Sequence, residues 1–136
     1  MSLSNDGQQT SVYLGTVTGS ADTTYPILMA ERHLTVIGAA VTVGSTLAAS
    51  ATNCIAITLL NAGTTGSGTT IVATRSTAST AITAFDQWAL ANSSTASYLE
   101  VDSGETLTMK FDGTGTKTGT KTLATLYFAL GTGIGN

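Results

Sequence analysis

The side chains that could do chemistry are few in this sequence. His33 is the single histidine and Cys54 the single cysteine. A Ser–His–Asp arrangement needs a histidine between a nucleophile and an orienting carboxylate. Only Glu31 and Arg32 flank His33, so a triad could be drawn only by choosing partners freely among many serines. We therefore predict a histidine that is exposed or lies at a strand edge, without a catalytic role.

Cys54 opens an apolar segment, a setting in which cysteine is usually a small, buried and inert hydrophobe. One cysteine cannot form an internal disulfide. A reactive thiolate needs neighbouring cations, and the whole chain has 5 Lys and Arg residues. The sequence predicts an unreactive thiol.

Two further patterns contain residue types that occur in ligand-binding sites. Calcium binding by Glu100, Asp102 and Glu105 would need several more oxygen ligands in a defined loop. The run Gly63-Thr-Thr-Gly-Ser-Gly68 resembles a phosphate loop in its glycines, but Thr69 follows where such a loop requires lysine. Turns explain both patterns, so we predict no catalytic, cofactor-binding or metal-binding residue and no enzyme activity.

The charge content limits the partners. Charged residues are 10% of the chain, against about 25% in average proteins. With a net charge of −3 and 5 Lys and Arg, the chain cannot neutralise many phosphates, and we expect no nucleic-acid partner. No apolar run approaches the roughly 18 residues of a membrane span. The polar start lacks a basic segment followed by an apolar one, so synthesis in the cytoplasm is expected.

The elements that must position these residues follow from a hydrophobic period of two. Leu107, Met109 and Phe111 alternate with polar residues, as in a strand with one buried face. Leu126 and Phe128 fall on one face of a second such strand. In 32–43 the apolar parity changes near Gly38, which predicts a bulge. The eight predicted strands cover 12–18, 25–29, 32–43, 54–60, 69–75, 97–101, 105–111 and 123–130.

Turn residues separate these strands. Segments 61–68, 102–105 and 112–119 are rich in Gly, Asn and Asp and fit hairpins. Several short strands joined by such turns predict an all-β chain, a single-domain antiparallel β-sandwich over 1–136 with a polar N-terminal arm over about 1–11. Segment 84–90 offers at most one helical turn.

The surface is predicted to be poor in charge, because Thr, Ser, Ala and Gly form more than half of the chain. Small side chains suit close subunit packing, although Thr also simply fits pleated sheets. We select four aromatic residues as partner contacts: Tyr13, Phe85, Trp88 and Tyr98. The last three could instead stack on a sugar, but core or subunit contacts are favoured because large side chains are few.

Several stretches together resemble the small Thr/Ala/Gly-rich head decoration proteins of tailed bacteriophages. They are 35–43 (TVIGAAVTV), 51–59 (ATNCIAITL), 69–75 (TTIVATR), 83–85 (TAF) and 101–108 (VDSGETLT), and the similarity runs over about 34–128. The resemblance implies a jelly-roll or related β-sandwich subunit that sits on the outside of the mature capsid, commonly as a trimer. It implies no enzyme activity and no cofactor. The chain lacks the Pro-rich N-terminal arm of better-known members.

From this resemblance we expect a jelly-roll-like structural virion protein that binds the outer capsid surface and stabilises the head. Its partners would be the lattice of the major capsid protein and further copies of itself, as a homotrimer. The alternative is a carbohydrate- or receptor-binding module of a phage fibre or tail. An enzyme is the third class, and the absence of an acid/base cluster in the sequence disfavours it most.

Overall fold

The computed structural model describes residues 7–18 and 22–131, and this part of the chain is almost entirely β-structure. It contains ten strands and one short 3-10 helix, Ala96–Leu99. The strands are β1 (Gln8–Thr18), β2 (Thr23–Met29), β3 (Leu34–Thr42), β4 (Cys54–Asn61), β5 (Thr70–Ser76), β6 (Trp88–Ala89), β7 (Ala91–Asn92), β8 (Glu100–Val101), β9 (Thr106–Thr114) and β10 (Thr118–Leu130).

The strands form two antiparallel sheets. Sheet 1 has the order β1-β10-β3-β6, with β8 also paired to β3, and sheet 2 has the order β2-β9-β4-β5-β7. Successive strand pairs lie in alternate sheets: β1·β10 and β3·β6 are in sheet 1, and β2·β9 and β4·β5 are in sheet 2. The chain is thus arranged as one long antiparallel hairpin that winds between the two sheets. That is the topology of a jelly roll. The predicted all-β antiparallel sandwich is therefore confirmed.

The strand count differs from the predicted eight because segment 88–101 is divided more finely. Strands β6, β7 and β8 have two residues each. The first of these pairs with sheet 1 and the second with sheet 2, so the chain crosses between the sheets at Leu90. The predicted strand 97–101 is mostly the 3-10 helix, and only Glu100–Val101 are extended.

One shared core lies between the sheets and follows the predicted alternation. The five side chains expected to point inward are at most 9% exposed: Leu107, Met109, Phe111, Leu126 and Phe128. Tyr25 of β2 packs edge-on against Phe111, with ring centroids 5.6 Å apart. Burial of these faces supplies the main driving force for the sandwich.

The bulge predicted near Gly38 is present. Gly38 pairs with Tyr127 and Val36 pairs with Phe128, so Ile37 is the extra residue on β3. Because an extra residue reverses the side-chain parity, Ile37 is 52% exposed. The change of apolar parity in the sequence was thus a reliable sign of the irregularity.

Two local predictions concern segment 84–90 and the N-terminal arm. Segment 84–90 was predicted to hold at most one helical turn, and it holds none, since Trp88 pairs with Val41 at the edge of sheet 1. The prediction of the arm needs correction. Of the predicted N-terminal arm, residues 1–6 lie outside the described residues, whereas Gln8 pairs with Phe128 and already begins β1. Side-chain type did not reveal this pairing, because residues 8–11 (QQTS) are all polar and show no alternation.

Candidate functional site

The outward-facing side of sheet 1 is the first candidate site. Leu126 points into the core, so its neighbours Thr125 and Tyr127 point away from it. The strand register places their partners on adjacent strands beside them. We call this surface the outer face, and it comprises Gln9, Ser11, Tyr13, Gly38, Ala40, Thr42, Ala89, Leu123, Thr125 and Tyr127.

The residues of the outer face are uncharged. Strands β1, β3 and β6 contain no Asp, Glu, Lys or Arg, and the charged residues of sheet 1 lie at its margins, Lys121 near the start of β10 and Glu100 on β8. Thr125 is 5% and Ala40 2% exposed although both point away from the core, so their neighbours cover them. The Ser11 and Thr125 hydroxyls lie 3.1 Å apart. The centre of this side of sheet 1 is therefore uncharged, and its own side chains partly cover it.

Sheet 2 presents a different outward side. Met109 and Phe111 face the core, so Lys110 and Asp112 face outward, and the ammonium lies 3.9 Å from the carboxylate. Asp22 belongs to the same group, since a hydrogen bond with Asp112 raises the pKa of its exposed carboxyl. Charged side chains therefore lie on β9, an interior strand of sheet 2, whereas those of sheet 1 lie at its margins.

Phe85 lies beyond the end of β3 and is 74% exposed. Its backbone has a φ of +66°, a left-handed conformation that costs a bulky L-residue free energy. Two hydrogen bonds hold it there: its N–H donates to Val43 O at 2.8 Å, and the Ala84 N–H donates to the Thr46 hydroxyl at 3.0 Å. An aromatic ring is thus displayed to solvent on a fixed loop.

The other predicted contact residues lie in different settings. Tyr13 is 65% exposed on the outer face, and Tyr98 is 45% exposed in the 3-10 helix. Trp88 is 5% exposed, with the Arg75 guanidinium 4.4 Å from its ring centroid. The prediction of Trp88 as a partner contact does not fit this burial, because its pairing with Val41 turns the ring into the core.

The three aromatic residues considered for sugar stacking are not brought together. The Phe85 N–H donates to Val43 O, just beyond one end of β3. Tyr98 lies two residues before Glu100, which pairs with Thr35 at the other end of β3. Roughly 25 Å of strand lies between Thr35 and Val43. With Trp88 buried, these rings do not form one stacking platform.

Sequence reasoning found no partner for His33, and the structure supplies two. Its Nε2 lies 2.6 Å from Glu100 Oε1 and its Nδ1 lies 3.1 Å from Asp102 Oδ1. The hydrogen bond with Glu100, and then that with Asp102, raises the pKa of His33 above its ordinary value. The one sequence signal was the spacing of two between the carboxylates, which places both on one side of an extended segment.

The remaining candidate residues have structural surroundings. Cys54 is half-buried at the start of β4, rather than fully buried as expected. The Asn61 side chain accepts a hydrogen bond from the Gly63 N–H within the 61–68 loop. It also donates to Glu105, and this bond ties the start of the loop to the β8–β9 turn. Among residues 7–18 and 22–131, no group of three or more His, Cys, Asp or Glu side chains is placed to hold a metal ion.

A pocket of about 430 Å³ opens beside the connection between β2 and β3. Its lining is mostly apolar, and the Arg32 guanidinium at its rim donates to Gly131 O at 2.6 Å. The lining residues are Gln8, Leu28, Met29, Ala30, Glu31, Arg32, Leu34, Phe128 and Leu130.

Within the described ranges, no helix is long and apolar enough to cross a membrane.

Comparisons with known proteins add little to this description. No family model matches the chain, and no curated protein matches it. A search of solved structures found a chain from "Structure of infectious bursal disease virus Gx strain", with 12% identity and a TM-score of 0.34. The match covers 93% of this chain and 37% of that one. Similarity at this level does not assign a role, so the functional argument rests on the outer face and on Phe85.

Proposed function

We propose that this chain is a structural virion protein that binds the outside of a tailed-phage capsid and stabilises the head. It binds as one of many copies, through contacts with the major capsid protein and with other copies of itself. In this role it uses no cofactor, performs no catalysis and has no contact with nucleic acid or membrane.

The observation that carries the proposal is the uncharged outer face. The cores of protein–protein interfaces are depleted in charged residues and enriched in tyrosine. Tyr13 and Tyr127 lie on this face among small and uncharged side chains, while the charged pair Lys110 and Asp112 lies on sheet 2. Such a face can meet another protein surface without desolvating an unpaired charge.

A capsid supplies a partner for which weak contacts are sufficient. A ligand that binds only the assembled lattice stabilises that state by mass action. Copies that also contact one another gain effective concentration, so that modest individual affinities add. A rigid sandwich with an exposed ring on a fixed loop, such as Phe85, loses little conformational freedom on binding.

Self-association is the first part to test. We expect a homotrimer, since a surface poor in charge can form subunit contacts without burying unpaired charges. Size-exclusion chromatography with light scattering should give about three times the 13.7 kDa monomer mass. A monomer at high micromolar concentration would contradict a stable solution trimer, and co-sedimentation would then decide whether copies associate on the lattice.

Co-sedimentation with capsids that lack the protein tests attachment. The wild-type chain should co-sediment and should raise the temperature at which the particles break. Tyr13→Lys places a charge on the outer face at a position that is 65% exposed, so it should weaken co-sedimentation while leaving the melting temperature of the free protein nearly unchanged.

Ile71→Lys is the matched control. Ile71 is 47% exposed on β5 in sheet 2, so the same change of charge is made on the opposite side of the sandwich. Binding should stay at the wild-type level. Equal loss in both variants would contradict attachment through the outer face, and no co-sedimentation of the wild type would contradict capsid binding itself.

The alternative is a receptor- or carbohydrate-binding module of a fibre or tail. The exposed rings of Phe85 and Tyr98 favour it, because aromatic rings pack on sugars and proteins alike. Electron microscopy of virions separates the two roles. Density on the head that disappears on deletion of the protein supports decoration, and density confined to the tail supports the alternative.

A further inference from the structure

Two connections at one end of the sandwich are joined by hydrogen bonds. The corner between β2 and β3 (30–33) shares three hydrogen bonds with the turn between β8 and β9 (102–105). Ala30 N–H donates to Glu105 O at 2.9 Å, and Gly104 N–H donates to Ala30 O at 2.7 Å. The Ser103 hydroxyl donates to Glu31 O at 3.0 Å. These bonds do not titrate near neutral pH.

His33 adds a link that does titrate. Each of its ring nitrogens faces a carboxylate oxygen, that of Glu100 on β8 and that of Asp102 in the turn. An ionised carboxylate only accepts hydrogen bonds, and a neutral imidazole has one N–H to donate. Only the imidazolium can donate to both carboxylates at once, so the two distances suit the cation better than the neutral ring.

We propose that the His33 imidazolium, bridging Glu100 and Asp102, is a pH-dependent latch that holds the β2–β3 corner against β8 and the β8–β9 turn. When the ring loses a proton, one of the two carboxylates loses its hydrogen bond from His33 and the corner is held less tightly. The Thr35 hydroxyl continues to donate to Glu100 in either state, so this bond does not depend on the ring. This inference rests on the geometry of the corner and is independent of the proposed function.

The charged groups around His33 support this assignment. Glu100 and Asp102 are the carboxylates within hydrogen-bond distance of the ring. The Arg32 guanidinium donates to Gly131 O, and Glu105 accepts from Asp102 N–H and Asn61. Glu31, the remaining charged residue of the corner, is exposed.

The direction of the pH effect follows from the bonds. The hydrogen bonds with Glu100 and Asp102 raise the pKa of His33, against a smaller opposing effect of partial burial. A group with a raised folded-state pKa contributes stability that is complete below its ordinary pKa of 6.5. That contribution is lost as the pH rises through the raised value.

Loosening has a defined local consequence. Ala30, Glu31 and Arg32 of the corner form one wall of the apolar pocket. The latch therefore stabilises this wall in its observed position while the ring is protonated and both carboxylates are ionised. As the pH rises through the raised pKa of His33, the backbone bonds between the corner and the turn should open more often, while the core strands β9 and β10 remain closed.

An NMR titration tests the latch directly, because His33 is the only histidine in the chain. Its pKa should lie above 6.5. Hydrogen exchange of the Ala30 and Gly104 amides, corrected for base catalysis, should rise about two- to fivefold through the titration, the range expected for a partly exposed ion pair. The Leu126 amide serves as the core reference and should not respond.

His33→Gln should remove this pH dependence, and Glu100→Gln should lower the pKa of His33. A pKa at or below 6.5 in the wild type, or unchanged pH dependence in His33→Gln, would overturn the proposal. If His33→Gln fails to fold, Asp102→Asn changes a carboxylate that is 79% exposed. That variant should also lower the pKa of His33, and an unchanged value would equally overturn the latch.

Discussion

Leu126 illustrates how much a single core side chain holds in a small sandwich. It is fully buried on β10, the strand that pairs with both β1 and β3. Leu126→Ala should lower the free energy of unfolding by about 2–5 kcal/mol, because it removes buried methyl groups and leaves a cavity. Chemical denaturation measures the loss, and Leu123→Ala on the outer face is the control and should cost clearly less. A loss below about 0.5 kcal/mol would place Leu126 outside the core.

A substitution at Phe85 can test capsid binding without a large change in the free energy of unfolding. Glycine adopts a φ of +66° without the strain that a side chain brings, although it carries a larger entropy cost of about 0.5–1 kcal/mol. Because the ring is exposed, Phe85→Gly should change the free energy of unfolding by less than about 1 kcal/mol while weakening capsid co-sedimentation. Wild-type co-sedimentation of this variant would exclude the ring as a contact.

At the scale of elements, the β4–β5 loop depends on a close backbone approach. A Cβ added at Gly68 would lie 2.7 Å from Asn61 O and 2.8 Å from the Ala62 carbonyl carbon. Backbone atoms cannot move aside as a flexible side chain can, so Gly68→Ala should cost about 1–3 kcal/mol in thermal or chemical denaturation.

Gly38 supplies the matched control for that prediction. It lies on β3 beside the bulge, and a Cβ added there would meet no atom within 4 Å. Gly38→Ala should therefore leave the free energy of unfolding nearly unchanged. Equal losses at the two positions would contradict the close approach at Gly68 as the cause, because the entropy of glycine in the unfolded chain makes Gly→Ala stabilising rather than destabilising.

At the scale of the whole molecule, the lack of charge on the outer face predicts a weak salt dependence of attachment. Raising the salt from about 0.1 to 1 M shortens the Debye length from about 10 to about 3 Å. Contacts through the uncharged outer face should survive this change, so co-sedimentation should fall only modestly. Complete release at 1 M salt would assign attachment to charged groups such as those of sheet 2.

The sequence by itself determined the sandwich and much of its core. The period of two assigned Leu107, Met109 and Phe111 to the buried side, and the parity change predicted a bulge or bend near Gly38, where the structure has a bulge at Ile37. These features are local, because side-chain alternation follows directly from the extended backbone. Sequence reasoning also selected Tyr13 and Phe85, which are exposed.

The tertiary structure decided which distant residues meet. His33 and Glu100 are 67 positions apart, and only the pairing of β3 with β8 brings them together. Trp88 is buried because β6 adds to the edge of sheet 1, which no local pattern showed. The uncharged outer face likewise requires the register of β1, β10 and β3. Pairing between distant strands depends on whether burial of the whole core outweighs the entropy lost in closing long loops. No single segment of the sequence contains that information.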